Sequence, residues 1–209
     1  MTDRERLKTL RVPSVENPLR ILMSSCLTGI TCGYDGTANG KYPSALALLK
    51  YKTVKPVTFC PEEFSFGSPR EMCDIHGGTG IDILNGKAKF LSESGIDWTE
   101  GILNASQRML EIAKNNHVEL CVMMDISGAC GSQVVYNGNR FGKNPSYLKG
   151  MGVAAALLHQ NGFQIISQRD FASLEILYSK INPSHKINME ALDHHEIEWF
   201  QDYFSDPQD

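Results

Sequence analysis

The chain has 209 residues, with 20 Lys and Arg against 24 Asp and Glu, for a formal net charge of −4. That length is a prior for one domain with room for an appendage, and the mildly acidic balance argues against broad nucleic-acid binding, which requires a dominant basic face. Hydrophobic residues at 42% and charged residues at 21% are ordinary globular usage, and no apolar run approaches the roughly 20 residues that span a bilayer.

Residues 1–18 read as an arm, because Pro13 and Pro18 break any helix begun by DRERLKTL. The same charged segment lacks the apolar centre of a secretory signal, so a cytoplasmic protein without a membrane partner is expected. RILMSSC is a short apolar run stopped by the turn-rich TGITCGYDGTANG, which predicts a buried strand ending at Cys26. PSALALLKY opens with Pro and reads as a helix. VKPVTFC repeats the first pattern and predicts a strand closing on Cys60, whereas PEEFSFGSPRE is too rich in turn formers to predict regular structure. Residues 74–98 carry five glycines between short apolar stretches and read as a hairpin-like excursion outside the core. Residues 97–116 give the longest predicted helix, with Ile102, Leu103, Leu110, Ile112 and Ala113 along one stripe. VELCVMM predicts a third buried strand, with Cys121 as a small core residue, running into DISGACGS. Residues 146–161 predict a helix and FQIIS a fourth strand; ASLEILYSKI and MEALDHHEIEWFQDYF then predict two further helices. The aromatic tail fits three roles, covering a sheet edge, packing on a second subunit as a homodimer, or closing over a site.

This order predicts an α/β fold, a three-layer α/β/α arrangement around a mainly parallel, Rossmann-like sheet, with a small hairpin insertion. The expected division is an arm at 1–18, a catalytic domain at 19–169 and a C-terminal helical extension at 170–209.

Six cysteines, at 26, 32, 60, 73, 121 and 130, include no CxxC pair. In a reducing compartment they do not imply a disulfide framework, and any metal site must be assembled from distant segments. Ligands of open α/β sheets sit beyond the carboxyl ends of the strands. Cys26, Cys60 and Cys130 fall at or just after three such ends. Three thiolates without a fourth leave a coordination position open, and soft thiolates suit iron–sulfur clusters, zinc or copper(I) alike. Cys32 lies in the same loop as Cys26 and is a candidate fourth thiolate that would close the site; Cys73 reads as structural or exposed. Tyr34 and Asp35 can line a pocket or form an Asp-Gly turn. His194 and His195 are adjacent, point to different sides of a helix and read as a surface pair. The GGTG stretch at 77–80 lacks the strand and helix context of a dinucleotide site.

The segments SSCLTGITCGYDG, FCPEEFSFGSPRE, DISGACGSQVVYNG and KGMGVAAALLHQNGFQIIS resemble, in order, the DUF523 family of thiouracil desulfurase (TudS)-like desulfidases, over about residues 20–168. The resemblance implies a 4Fe-4S cluster held by Cys26, Cys60 and Cys130, with one iron open to the sulfur of a thiolated pyrimidine. It also implies catalytic roles for Glu62 of the CPE motif and for Ser127, and release of sulfide without net redox change. In that chemistry the iron acts as a Lewis acid, Glu62 takes a proton from the attacking water, and Ser127 hydrogen-bonds the ring or relays a proton. Two departures stand out in the core. The family's usual SPSCG is SGACG here, and the usual basic residue before YDG is Gly33. Loss of that guanidinium favours a free base or nucleoside over a nucleotide. Two readings compete, a desulfidase for thiouridine within tRNA, against which the net charge counts, and a non-catalytic iron–sulfur or zinc protein acting as sensor or carrier.

Overall fold

The computed structural model describes residues 3–38 and 42–205. Strands β1 (Leu19–Ser24), β2 (Val54–Phe59), β5 (Leu120–Met123) and β8 (Ile165–Ser167), numbered in chain order, form an all-parallel sheet in the order β2-β1-β5-β8. Side chains alternate across a strand, and both central strands are apolar on both faces. Leu19, Ile21 and Met23 of β1, with Leu120 and Val122 of β5, enter one core; Leu22, Cys121 and Met123 enter the other. That is why these runs are continuous rather than alternating in polarity.

Helices α1 (Asp3–Thr9), α2 (Pro43–Leu48) and α7 (Phe171–Ile181) cover the first face. Helices α5 (Thr99–Asn115) and α6 (Val153–Gln160) cover the second through Ile102, Met109, Ala154 and Leu158. The three-layer α/β/α reading holds. Within the expected arm, residues 3–9 are helical and Leu7 is fully buried in the first core. Burying one leucine contributes about 2 kcal/mol, enough to dock a short helix that lies wholly before Pro13.

A second sheet packs in the same core as α5 and α6, and the predicted hairpin is one part of it. β3 (Cys73–His76) pairs antiparallel with β4 (Lys89–Ser92) and parallel with β6 (Val134–Asn137), which pairs antiparallel with β7 (Ser146–Lys149), in the order β4-β3-β6-β7. The stretch at 74–98 is therefore part of the core: Ile75 and Phe90 are fully buried, and between the strands lies α4 (Gly80–Leu84), opened by a Thr79–Asp82 capping box. Residues 146–149 are strand rather than helix, because Ser146–Lys149 pairs with β6 and the helix starts only at Val153.

PEEFSF also departs from expectation. It forms α3 (Pro61–Phe66), with Cys60 as N-cap, Pro61 at the first helical position and Gly67 at φ +79° ending it; here proline starts the helix instead of breaking it. In the tail, only α8 (Glu198–Ser205) is regular helix, preceded by a single 3-10 turn at His194–Glu196.

Candidate functional site

One cavity of about 340 Å³ opens at the carboxyl ends of β1, β2 and β5, and Cys26, Cys60, Cys130, Glu62, Ser127, Tyr34 and Asp35 all line it. Each sulfur arrives on a separate element. Cys26 sits in the 3-10 turn Ser25–Thr28 after β1, and Cys60 caps α3, its Sγ accepting from the Glu63 amide at 3.4 Å. Cys130 lies in the loop between β5 and β6. That loop is held by the first turn of α6, where the Val153 and Ala154 amides donate to the Gly128 and Ala129 carbonyls at 2.9 Å each. These are N–H groups with no partner inside their own helix, so α6 and the Cys130 loop satisfy each other.

Cys32 lines the same cavity and is only 2% exposed. Its thiol is hydrogen-bonded to those of Cys26 and Cys60, and the Cys60 thiol faces the Cys32 carbonyl at 4.0 Å. Cys73 is buried and lies outside the cavity lining, and Cys121 is fully buried in the core. The sequence separates these three classes only in part, since Cys32 and Cys73 both lie in turn-rich surroundings.

Cys32, Cys60 and Cys130 resist ionisation. The hydrogen bond with Cys26 pushes Cys32 up to about 12. Hydrogen bonding from Cys32, then burial, then the Glu62 charge raise Cys60. Burial, then the Cys60 charge, raise Cys130. A thiolate-binding cation offsets all of these costs at once, because coordination deprotonates thiols outright. The donor set, soft sulfur converging from three elements, therefore fits an iron–sulfur cluster and equally a soft single ion.

Beside the sulfurs, Glu62 is fixed from two sides. Arg70 Nη2 lies 2.6 Å from Glu62 Oε2, and Ser127 Oγ lies 3.4 Å from Oε1. Ser127 Oγ also accepts from the Cys130 amide at 3.2 Å, tying the hydroxyl to the third thiol's backbone. Ile126, immediately before Ser127, adopts φ +56°, a left-handed conformation that is strained for a β-branched residue. Arg70 was not singled out from sequence, although it sits in the SPRE stretch. It donates through Nη1 to the Cys32 and Gly67 carbonyls at 3.0 Å each and so links the Cys32 loop to the carboxylate.

Two glycines of the cavity loops have no room for a side chain. A Cβ at Gly33 would meet the Thr37 carbonyl oxygen at 2.7 Å, and one at Gly128 would meet the Phe90 ring at 2.8 Å. Neither an arginine nor a proline fits these backbones unchanged. The guanidinium groups of Arg70 and Arg140 lie in the cavity wall, both paired, with Glu62 and Asp74 respectively. Asp35 holds the Gly33 turn, its Oδ1 accepting from the Thr37 amide at 3.0 Å and the Thr37 hydroxyl at 2.7 Å.

The histidine pair is not a surface pair. His195 is exposed, but His194 is 1% exposed and its Nδ1 lies 2.6 Å from Asp125 Oδ2. Asp125 Oδ1 accepts the amides of Ser132, Gln133 and Val134 at 3.0, 3.1 and 3.2 Å. One buried carboxylate thus gathers both ends of the loop that carries Ser127 and Cys130. Burial opposes its ionisation, but the His194 hydrogen bond and charge and the backbone donors outweigh it and hold the carboxyl below its ordinary value.

Comparison with known proteins gives three matches. The profile of the 2-thiouracil desulfurase family matches residues 21–170. A protein of Bacillus subtilis (strain 168), YbbK, which is described as uncharacterized, is 40% identical over 151 residues, covering 72% of this chain and 96% of that protein. A solved structure described as a [4Fe-4S]-dependent thiouracil desulfidase, TudS, superposes with a TM-score of 0.61 at 26% identity, covering 77% of this chain and 98% of its own.

Proposed function

Because the chain belongs to the 2-thiouracil desulfurase family, we propose that its thiol-lined cavity is the active site of an iron–sulfur-dependent desulfidase. The reaction replaces the sulfur of a thiolated pyrimidine by oxygen: one water is consumed, the C–S bond breaks, a C–O bond forms, and sulfide leaves without net electron transfer. The observation that carries this reading is the convergence of Cys26, Cys60 and Cys130 with Glu62 and Ser127 on one cavity.

Cys26, Cys60 and Cys130 would hold a 4Fe-4S cluster. Once bound, it supplies Lewis-acid polarisation of the C–S bond and a soft acceptor for the departing sulfur. The protein's own groups do the proton work. Glu62 takes a proton from the attacking water, and Arg70 sets its orientation. Ser127, held between Glu62 Oε1 and the Cys130 amide, passes a proton between the carboxylate and the ring. Tyr34 is about two-fifths exposed at the cavity wall and offers an aromatic face to a planar base.

The preferred substrate is a free thiolated base or nucleoside. Both cationic side chains among the described cavity residues are already neutralised by carboxylates, so neither is free to balance a phosphate. The test is anaerobic reconstitution with iron and sulfide, followed by sulfide release from 2-thiouracil, 4-thiouracil, their nucleosides and nucleotides, and thiolated tRNA. Stoichiometric sulfide and oxo product from the bases or nucleosides is expected. An intact cluster that releases no sulfide from any of these would leave a sensor or carrier, and release from tRNA alone would overturn the small-molecule assignment.

A further inference from the structure

We infer that Arg140 is a specificity-determining residue of this cavity: its Nη1 donates to the exocyclic carbonyl oxygen of a thiouracil-type ring and selects such rings against amino-bearing ones such as 2-thiocytosine. This role rests on the function proposed above and adds to it the group that recognises the ring.

Arg140 lines the same cavity as Cys26, Cys60, Cys130 and Glu62. A guanidinium is planar and presents its donors in a fixed fork, and here one edge and one face are already occupied. Asp74, only 3% exposed, takes the edge: Arg140 Nε donates to its two carboxylate oxygens at 3.0 and 2.9 Å, and Nη2 donates to Oδ1 and to the Cys73 carbonyl. The Tyr136 ring takes the face, with its centre 4.4 Å from the guanidinium carbon. What is left is Nη1, which has no hydrogen-bond acceptor among the described residues, on a side chain about one-fifth exposed.

That donor is held from behind by the C-terminal extension. Tyr136 packs on Tyr147 at 4.7 Å between ring centres, and Tyr147 meets Trp199 and Tyr203 of α8 edge-on at 5.4 and 5.3 Å. The Tyr203 hydroxyl also accepts the Tyr147 amide at 3.0 Å. An arginine fixed on two sides loses little side-chain freedom when it binds. Arg70 is not placed for the same part, because Nη1 is bound to the Cys32 and Gly67 carbonyls, Nη2 to Glu62, and its Nε is buried.

The Asp74 charge decides what Nη1 takes. The paired guanidinium is neutralised and does not attract a phosphate, yet its N–H keeps a dipole that suits an uncharged carbonyl oxygen. An exocyclic amino group in the same place sets donor against donor, and the cost of leaving both unpaired discriminates between the rings.

The experiment uses the full chain reconstituted anaerobically with iron and sulfide. Two sulfur-free probes that do not turn over, 4-pyrimidinone and 4-aminopyrimidine, are titrated calorimetrically, and sulfide release is compared for 2-thiouracil and 2-thiocytosine. The wild type should bind the oxo probe about 10–100-fold more tightly than the amino probe, the equivalent of one charge-assisted hydrogen bond, and kcat/KM should follow the same order. Arg140→Gln, whose side-chain oxygen accepts from an amino group, should erase or invert this preference. Arg140→Lys keeps a charge opposite Asp74 should the first variant fail to fold; it should weaken binding of the oxo probe while cluster absorbance stays unchanged. Equal binding of the two probes by the wild type overturns the role of Arg140, as does a preference that survives in the folded variants. An effect of the variants confined to nucleosides or nucleotides would put Nη1 on the sugar or phosphate and overturn it too. Oxo-selective, Arg140-dependent binding without sulfide release from any thiolated base sinks the proposed function, whereas release from 2-thiouracil that ignores Arg140 sinks only the specificity role.

Discussion

Replacing Asp125 by Ala removes the acceptor of three backbone amides and the partner of a buried histidine in one step. Leaving a buried N–H unpaired costs about 1–3 kcal/mol, and the His194 ring loses its hydrogen-bond partner in the same step. Water entering the space left by the carboxylate recovers part of this, so a net loss of about 4 kcal/mol is expected, a large share of the roughly 5–15 kcal/mol that a domain possesses. At about 2–4 °C per kcal/mol for a chain of this size, Tm should fall by about 10 °C. Asp125→Asn keeps a carbonyl oxygen for the three amides and should cost only about 1–2 kcal/mol. Because the Asp125 carboxyl is held below its ordinary value in the fold, its charge contributes stability that is fully present above the ordinary carboxylate range. That stability is lost as pH falls through the lowered folded value, so the gap between wild type and Asp125→Asn should close in acid. Urea unfolding followed by circular dichroism, repeated across pH, measures all three quantities. A stability of Asp125→Ala within about 1 kcal/mol of wild type, the size of a single ordinary hydrogen bond, would refute the claim that this carboxylate organises the loop.

Cys26→Ala, Cys60→Ala and Cys130→Ala should each fail to retain iron, whereas Cys121→Ala, buried away from the cavity, should retain it; equal iron content in all four contradicts the ligand assignment. Glu62→Gln should keep the cluster absorbance while kcat for sulfide release falls about 10²–10⁴-fold, and unchanged turnover removes Glu62 from the proton transfer. In the cluster-free protein, Cys32 at about 12 should alkylate at pH 8 about a thousandfold more slowly than a free thiol; labelling as fast as in a small thiol would show that the hydrogen bonds among the thiols do not form. His194→Phe, which keeps a ring to pack on Trp199 but removes one hydrogen bond to the Asp125 carboxylate, should lower stability by about 1.5–3 kcal/mol. Wild-type stability in that variant would mean the ring packing, not the hydrogen bond, carries the contribution.

The layers and the site were readable to different depths, for physical reasons. A strand buried on both faces has a continuous apolar run, so ILMS and LCVM announced themselves and placed Cys26 and Cys130 at one rim. The second sheet did not, because β3, β4, β6 and β7 are each only four residues long and alternate with glycines that also read as turns. Asp125 and His194 were illegible for another reason. They lie 69 residues apart, and a polar pair announces its burial only once the chain is folded. Arg70 sat in a quoted motif, yet its reach to the Cys32 carbonyl depends on the Ser68–Arg70 turn lying under the Gly33 loop, where Ser68 Oγ donates to the Gly33 carbonyl at 2.8 Å.

The segments outside the family match are tied into the same structure that holds the third thiol. Arg4 of α1 pairs with Asp193 at 2.8 Å and with Glu196, and Asp193 in turn accepts the Ser173 amide of α7 at 2.8 Å. The next residue, His194, reaches Asp125, and its own amide donates to Asp170 at 3.0 Å while Asp170 accepts from Gln133 at 2.6 Å. The N-terminal helix and the C-terminal extension therefore converge on a single buried network whose inner end is the loop of Ser127 and Cys130. An unsatisfied member makes a buried polar network costly, and His194 Nε2 is buried without a hydrogen-bond partner among the described residues. The network fixes a loop already strained at Ile126, whose displacement would move a thiol and the serine hydroxyl together. That coupling makes the extension part of the site's architecture, although no residue beyond Arg140 lines the cavity among those described.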